Sequence, residues 1–262
     1  MRRRAGAAWA AMGPWALAPL ALLLVCLPAQ AQPASAEAFT GAQREEIVRI
    51  LRDALTRDPS ILRDAIAALQ EDDERLQAAG RSGAIRAERA ALIADPADPV
   101  RGNPQGDVTI VEFHDIRCGF CRRLHPELEA VIAADRGVRV VMKDLPILGP
   151  QSVFGARALL AAHRQGGYAR LQDALMRMRG EPTEAAIQAE VRRLGLDWQR
   201  LRRDMEDPAI AARLDANIAL AQRLAIRGTP ALIIGETLVP GAVDRATLAS
   251  IVAAARVAQR GG

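Results

Sequence analysis

Hydrophobic positions in this chain follow two periods, and the switches between them mark out its organisation. Val108 to Phe113 is an apolar alternating run and Val138 to Met142 is β-branched, so both predict strands. Between them, Cys121 to Ala134 has helical spacing, with Pro126 expected to kink it. The span from Lys143 to Gly228 is too long for a loop. It carries helical faces instead: Phe154, Ala158 and Ala162; Tyr168, Leu171 and Leu175; Ile187, Val191 and Leu194 before Gly195; then Ile210, Leu214 and Ile218 after Asp207-Pro208. Ala231–Ile234 and Thr237–Val239 predict a hairpin around Gly235-Glu236, and Asp244 caps a last helix.

The region ahead of the first strand is helical in pattern but short of bulk. Thr40 and Gln43 form a capping-box pair, followed by Ile47, Ile50, Leu51 and Leu55 on one face. Asp58-Pro59 restarts the chain as cap and first helical residue, and Ile61, Leu62, Ile66 and Leu69 make a second stripe. Glu71 to Arg75 reads as a solvated face or, together with Gly80 and Gly83, as the alternative of a flexible hinge, and a third helix runs from about Ala84 to Ala94, before Asp95-Pro96. These stripes cannot satisfy one another, so they predict docking on the main domain or on a second copy of the chain. Pro96 to Gly106 reads as a boundary.

At the N-terminus, Arg2-Arg3-Arg4, the apolar run Trp15–Leu27 and Ala29-Gln30-Ala31 have the order of a signal peptide cleaved near Ala31. The run is short for a span, so no stable membrane anchor is expected. Losing residues 1–31 removes three arginines and no acid, and the formal charge falls from +4 to +1. Nothing then supports a nucleic-acid partner. Cys26 leaves too, so of three cysteines Cys118 and Cys121 remain.

Those two cysteines stand where the strand hands over to the helix. A thiol at a helix N-terminus faces unpaired N–H groups and the positive end of the macrodipole, which favour the thiolate that attacks disulfides. A second thiol one turn further in can close on the first and release a mixed disulfide. Half of a zinc site and a plain structural bridge are the alternatives. Zinc would need two more ligands, and the three scattered histidines, His114, His125 and His163, lack the spacing. No metal or cofactor is expected.

The second chemical feature is Gly228-Thr229-Pro230-Ala231-Leu232-Ile233-Ile234-Gly235, with a proline directly before an apolar strand. Strand, CxxC helix, strand, helical insertion, Thr-Pro strand, hairpin and helix together resemble the DsbA family of thioredoxin-fold proteins. Pro146-Ile147-Leu148-Gly149, Asp173-Ala174-Leu175-Met176 and Gly195-Leu196-Asp197 look most like the ScsC-like sub-branch, which has an N-terminal helical extension. The resemblance implies an α/β thioredoxin-like fold over residues 96–262, with a helical insertion at about 148–226, behind a helical region at 32–95. It implies a cis Thr229–Pro230 bond facing the cysteines, Thr229 on the thiolate side, and backbone beside Pro230 that pairs with an extended substrate. It also implies that Glu112, six residues before Cys118, is the buried acid that relays the proton of the second cysteine; the bland alternative is a surface carboxylate at a strand edge.

The activity implied is thiol–disulfide exchange in the periplasm on reduced or misoxidised exported proteins, recharged by a membrane partner of DsbB or DsbD type. Isomerisation is favoured over oxidation if residues 41–94 make a homo-oligomer. Gly119-Phe120 departs from the Pro-His of the strongest oxidants and leaves the redox poise open. A copper-binding or chaperone-type dithiol module without catalysis is the competing class.

Overall fold

The structure is a computed structural model that describes residues 39–261. The expected signal peptide and Cys26 lie outside the described residues. Among the described residues, those up to Arg63 and those from Asp64 onward form two separate compact units.

In the first unit, α1 (Gly41–Arg57) begins with the capping box: Gln43 N–H donates to Thr40 Oγ1 at 3.3 Å and Thr40 N–H to Gln43 Oε1 at 2.9 Å. No residue of α1 is buried. The next helix, α2 (Ser60–Ala87), is capped by Asp58, which accepts from Ser60 N–H at 3.0 Å. It continues without a break through Gly80 and Gly83, where a hinge was the alternative reading. Two isolated glycines cost about 1 kcal/mol each in a helix, and the flanking alanines and arginines outweigh that. From Asp64 onward α2 belongs to the second unit, as does the five-residue helix α3 (Arg89–Ile93) that follows.

The second unit is built on a five-stranded sheet of order β1-β3-β2-β4-β5. Its strands are β1 (Val100–Gly102), β2 (Val108–His114), β3 (Val138–Asp144), β4 (Ala231–Ile234) and β5 (Thr237–Pro240). Only β2 and β3 are parallel, joined by the crossover helix α4 (Gly119–Ala134); the other pairings are antiparallel. The edge strand β1 lies in the stretch read as a boundary. Three residues carry no detectable period, and pairing of Val100 with Val141 and Gly102 with Arg139 makes the strand.

Alternation along β2 divides the core. Val108 and Ile110 face α4 and the insertion helices α5 (Pro150–His163), α6 (Tyr168–Arg177), α7 (Glu184–Arg193) and α8 (Trp198–Asp204). Val111 and Phe113 face the other way, onto a smaller core with Ile85, Leu92, Leu220 and Leu224, the last two from the end of α9 (Pro208–Arg223). The α8 helix was not read from the sequence, being two turns long behind its Asp197 cap. Helix α10 (Arg245–Gly261) closes the chain. Among the described residues no helix is long and apolar enough to cross a membrane.

Candidate active site

Central position in the sheet decides where the chemistry sits. β2 ends at His114, a short loop turns over the sheet edge, and Cys118 becomes the N-cap of α4 with extended backbone (φ −70°, ψ 118°). Two features hold that loop. The Asp115 carboxylate accepts from the N–H groups of Arg117 (2.8 Å), Ile147 (3.0 Å) and Leu148 (3.1 Å) and from the Ser152 hydroxyl (2.8 Å). Gly155 on α5 lets Ile116 in, since a Cβ there would lie 2.0 Å from Ile116 Cδ1.

Cys118 and Cys121 are free and buried thiols, Cys121 fully enclosed and Cys118 7% exposed. Their environments push them apart. The Cys121 thiol, the Thr229 hydroxyl and the N–H groups of Cys121 and Phe120 stabilise a Cys118 thiolate, and against the cost of burial they bring its pKa down to about 5. Burial drives the Cys121 thiol far up, helped by its bond to Cys118 and the charge of Glu112. At neutral pH one sulfur is an anion and the other keeps its proton.

The Thr229–Pro230 bond is cis, and the Cys118 thiol donates to the Thr229 carbonyl at 3.1 Å. Beside them runs an open groove of about 410 Å³ lined by Phe120, Ile226, Thr229, Pro230 and Leu238. Phe120, from the dipeptide between the cysteines, stands exposed with the Arg123 guanidinium 4.1 Å from its ring centre.

Beneath the cysteines lies a polar layer. Glu112 is 2% exposed on the central strand, which excludes the surface alternative, and its Oε2 has no hydrogen-bond partner among the described residues. Burial raises its pKa to about 7, with Arg101 pulling down and Glu129 pushing up. His114 Nε2 meets the Tyr168 hydroxyl at 2.9 Å, and that hydroxyl donates to Asp144 at 3.0 Å. His125 Nε2 meets Asp173 at 2.9 Å and so turns away from Cys118 toward α6. Burial holds both imidazoles below their usual range, His114 down to about 3.

The structure thus brings Cys118, Cys121, Glu112, Thr229 and Pro230 to one place. Sequence reasoning missed Asp115, Arg101, Gln172 and Tyr168, whose partners are distant in the chain. From the sequence alone, Lys143 is more readily a solvated edge lysine than a neighbour of Glu112 across adjacent strands. Lys143 is instead buried on the opposite sheet face, where it donates to Asp98 at 2.5 Å and to the Ala91 carbonyl at 2.8 Å. Register explains this: Lys143 pairs with Phe113, while Glu112 pairs with Met142. Among the described residues no group of three or more His, Cys, Asp or Glu is placed to hold a metal ion.

Comparison with known proteins agrees with this geometry. A thioredoxin-like oxidoreductase from Silicibacter pomeroyi superposes with a TM-score of 0.63 at 45% identity, covering 64% of this chain and 97% of that one. Proteus mirabilis ScsC in a transitional conformation gives a TM-score of 0.62 at 30% identity over 84% of this chain and 98% of that one. A curated relative, the Na(+)/H(+) antiporter NhaA 3 of Salinispora tropica, is 29% identical over 177 residues, 64% of this chain and 27% of that protein. The chain therefore spans about a quarter of the length of the curated relatives it matches. The DsbA-like thioredoxin domain model matches residues 109–253, from β2 through the cysteine pair and the cis-proline loop into α10, and the chain belongs to that family.

Proposed function

We propose that this protein is a thiol–disulfide oxidoreductase of the periplasm that forms or rearranges disulfides in exported proteins. The observation that carries the reading is the asymmetry of the two sulfurs, one at a helix start with a depressed pKa and one enclosed with a raised pKa. The Cys118 thiolate attacks a substrate disulfide, forming a Cys118–substrate bond and releasing one substrate sulfur as a thiolate. A second substrate thiolate then attacks the linked substrate sulfur, leaving a rearranged disulfide and regenerating the Cys118 thiolate. Alternatively Cys121 gives its proton to Glu112 and attacks Cys118, releasing reduced substrate. In the oxidising direction a substrate thiolate opens a Cys118–Cys121 disulfide and Cys121 leaves, taking its proton from Glu112. The groove beside Pro230 accepts the extended segment around the reacting cysteine.

Within that activity we favour isomerisation. Support comes from α1, whose apolar face, including Ile47, Ile50, Leu51 and Leu55, is solvent-exposed. Such a face fits a second copy of the chain, and an assembly hides reduced thiols from an oxidising membrane partner. The test is trapping. Cys121→Ser should accumulate mixed disulfides with reduced or scrambled substrate proteins on non-reducing gels, and Cys118→Ser none. Adducts on both variants, or on neither, overturn the assignment.

A further inference from the structure

The polar layer holds one charge that the exchange steps leave unused. Arg101, on edge strand β1, is buried although it belongs to the most water-seeking of residue types. It pairs across the sheet with Val140, which in turn pairs with Ile110 two positions before Glu112, so Arg101 and Glu112 share a sheet face. Its guanidinium is fixed at two points: it donates to Gln172 Oε1 on α6 and lies 2.7 Å from Glu129 Oε1 on α4. One hydrogen bond and one close ion pair hold the charge in one place. Around it, Glu112 Oε2, Gln172 Nε2 and the ion-paired Glu129 Oε1 are enclosed without a hydrogen-bond partner among the described residues. Buried orphans of this kind are rare where stability alone is served.

We propose that Arg101, held between Glu129 and Gln172, is the positioning charge that keeps Glu112 able both to take the Cys121 proton and to give it back. The inference rests on the reading of Glu112 as the proton acceptor of the resolving step. There the Cys121 proton passes to the Glu112 carboxylate, the Cys121 thiolate bonds to Cys118, and the substrate sulfur leaves as a thiolate that takes its proton from solvent. An enclosed carboxylate with no nearby cation would stay protonated at neutral pH and accept nothing. One paired tightly with a free cation would stay ionised and return nothing. Arg101 is a cation already shared with Glu129, so its pull on Glu112 is partial. Glu129 from α4 acts on Glu112 too, and Cys121 from α4, Asp144 from β3 and Tyr168 from α6 lie close enough to feel the charge of Glu112. Arg101 is the one cation among them, and burial lowers the pKa of both neighbouring histidines.

The test is the pH profile of the resolving step. A Cys118 mixed disulfide with a small aromatic thiol is prepared on the full chain, and release of the thiol by Cys121 is followed by absorbance from pH 5 to 9. The rate should rise through the titration of Glu112. Arg101→Met should move that inflection up by about one pH unit or more, and Glu129→Gln should move it down, each by the ordinary effect of a nearby charge. Arg101→Lys should restore the position. Displacements of opposite sign are not produced by loosened packing. Inflections that move the same way, or stay fixed in all three variants, overturn the role of Arg101. If Arg101→Met does not fold, Glu129→Gln and Arg101→Lys still decide. An unchanged inflection in Glu112→Gln overturns the reading of Glu112 itself, whereas absence of any mixed disulfide at Cys118 overturns the exchange activity.

Discussion

Helix α1 and the polar layer beneath Cys118 depart from ordinary burial in opposite directions. In α1, leucines and isoleucines face solvent; under the cysteines, Glu112, His114, Asp144, Gln172 and Arg101 are enclosed. Covering one exposed Leu or Ile is worth about 1.5–3 kcal/mol, and leaving one buried polar atom unpaired costs about 1–3 kcal/mol. The interior therefore gives up stability where the sulfur chemistry needs a proton acceptor. The outer helix retains a driving force that its own unit does not satisfy. Disrupting the first should change stability or pH response, and disrupting the second should change neither.

The largest effect is expected where a buried charge loses its partner. Lys143→Met leaves the Asp98 carboxylate with only Arg213, 2.8 Å away, and leaves the Ala91 carbonyl without its donor. Breaking a buried pair costs about 3–5 kcal/mol, which urea denaturation should register. Adding Asp98→Asn should recover much of it. A single-variant loss below about 1 kcal/mol would mean that the pair is far less enclosed than described.

Glu112→Gln should act in the other direction. A carboxyl whose folded-state pKa is raised from 4.5 to about 7 favours folding while protonated, and that contribution is lost as pH climbs from about 4.5 through 7. Above pH 7.5 the wild type carries the full cost of the buried anion. The variant should therefore be more stable at pH 8, by up to about 3 kcal/mol, with the gain gone near pH 4. His114 loses stability the opposite way, as pH falls from 6.5 toward 3, and cancels in the comparison because both chains contain it. Stability curves at pH 4, 6 and 8 check this. An equal gain at every pH would trace the effect to packing rather than to charge.

Those two residues also show what was legible in the sequence. The strand, cysteine pair, helix and Thr-Pro hairpin were readable because each is written in local chemistry, within about ten residues. Glu112 was readable by its offset from Cys118. Its charge environment was not: Arg101 comes from a three-residue strand with no period, and its acceptor Gln172 lies 71 residues away. Lys143 was misplaced because strand position alone does not say which face a side chain takes until register is known. The N-terminal stripes were plain in pattern, yet only the structure shows that Ile85 and Leu92 fill the core beside Phe113 while Leu69 stays 67% exposed.

A smaller effect tests the loop that presents Cys118. Gly155→Ala puts a methyl against Ile116 Cδ1, the mobile end of a side chain, so Ile116 must change rotamer. Overpacking of this kind costs about 1–3 kcal/mol. Because Ile116 precedes Cys118 by two residues, thiolate absorbance should show a displaced Cys118 titration. A stability loss with the titration unchanged would separate loop packing from thiol chemistry.

The smallest stability effect belongs to α1. Leu51 and Ile47 are exposed, so Leu51→Glu paired with Ile47→Glu should shift the unfolding midpoint by no more than surface substitutions do, about 0.5 kcal/mol each. Association is the informative readout. If the face meets a second copy, four to six Leu or Ile side chains per chain leave water together, and two inward-facing carboxylates must be desolvated in the variant. Sedimentation at tens of micromolar (the range where a weak interface shows) should then find the wild type assembled and the double variant monomeric. Isomerase activity should fall, while oxidation of reduced protein with added oxidant persists. A monomeric wild type would remove the oligomer and favour an oxidase. A variant that loses several kcal/mol as a monomer would show instead that the α1 face is satisfied within its own chain.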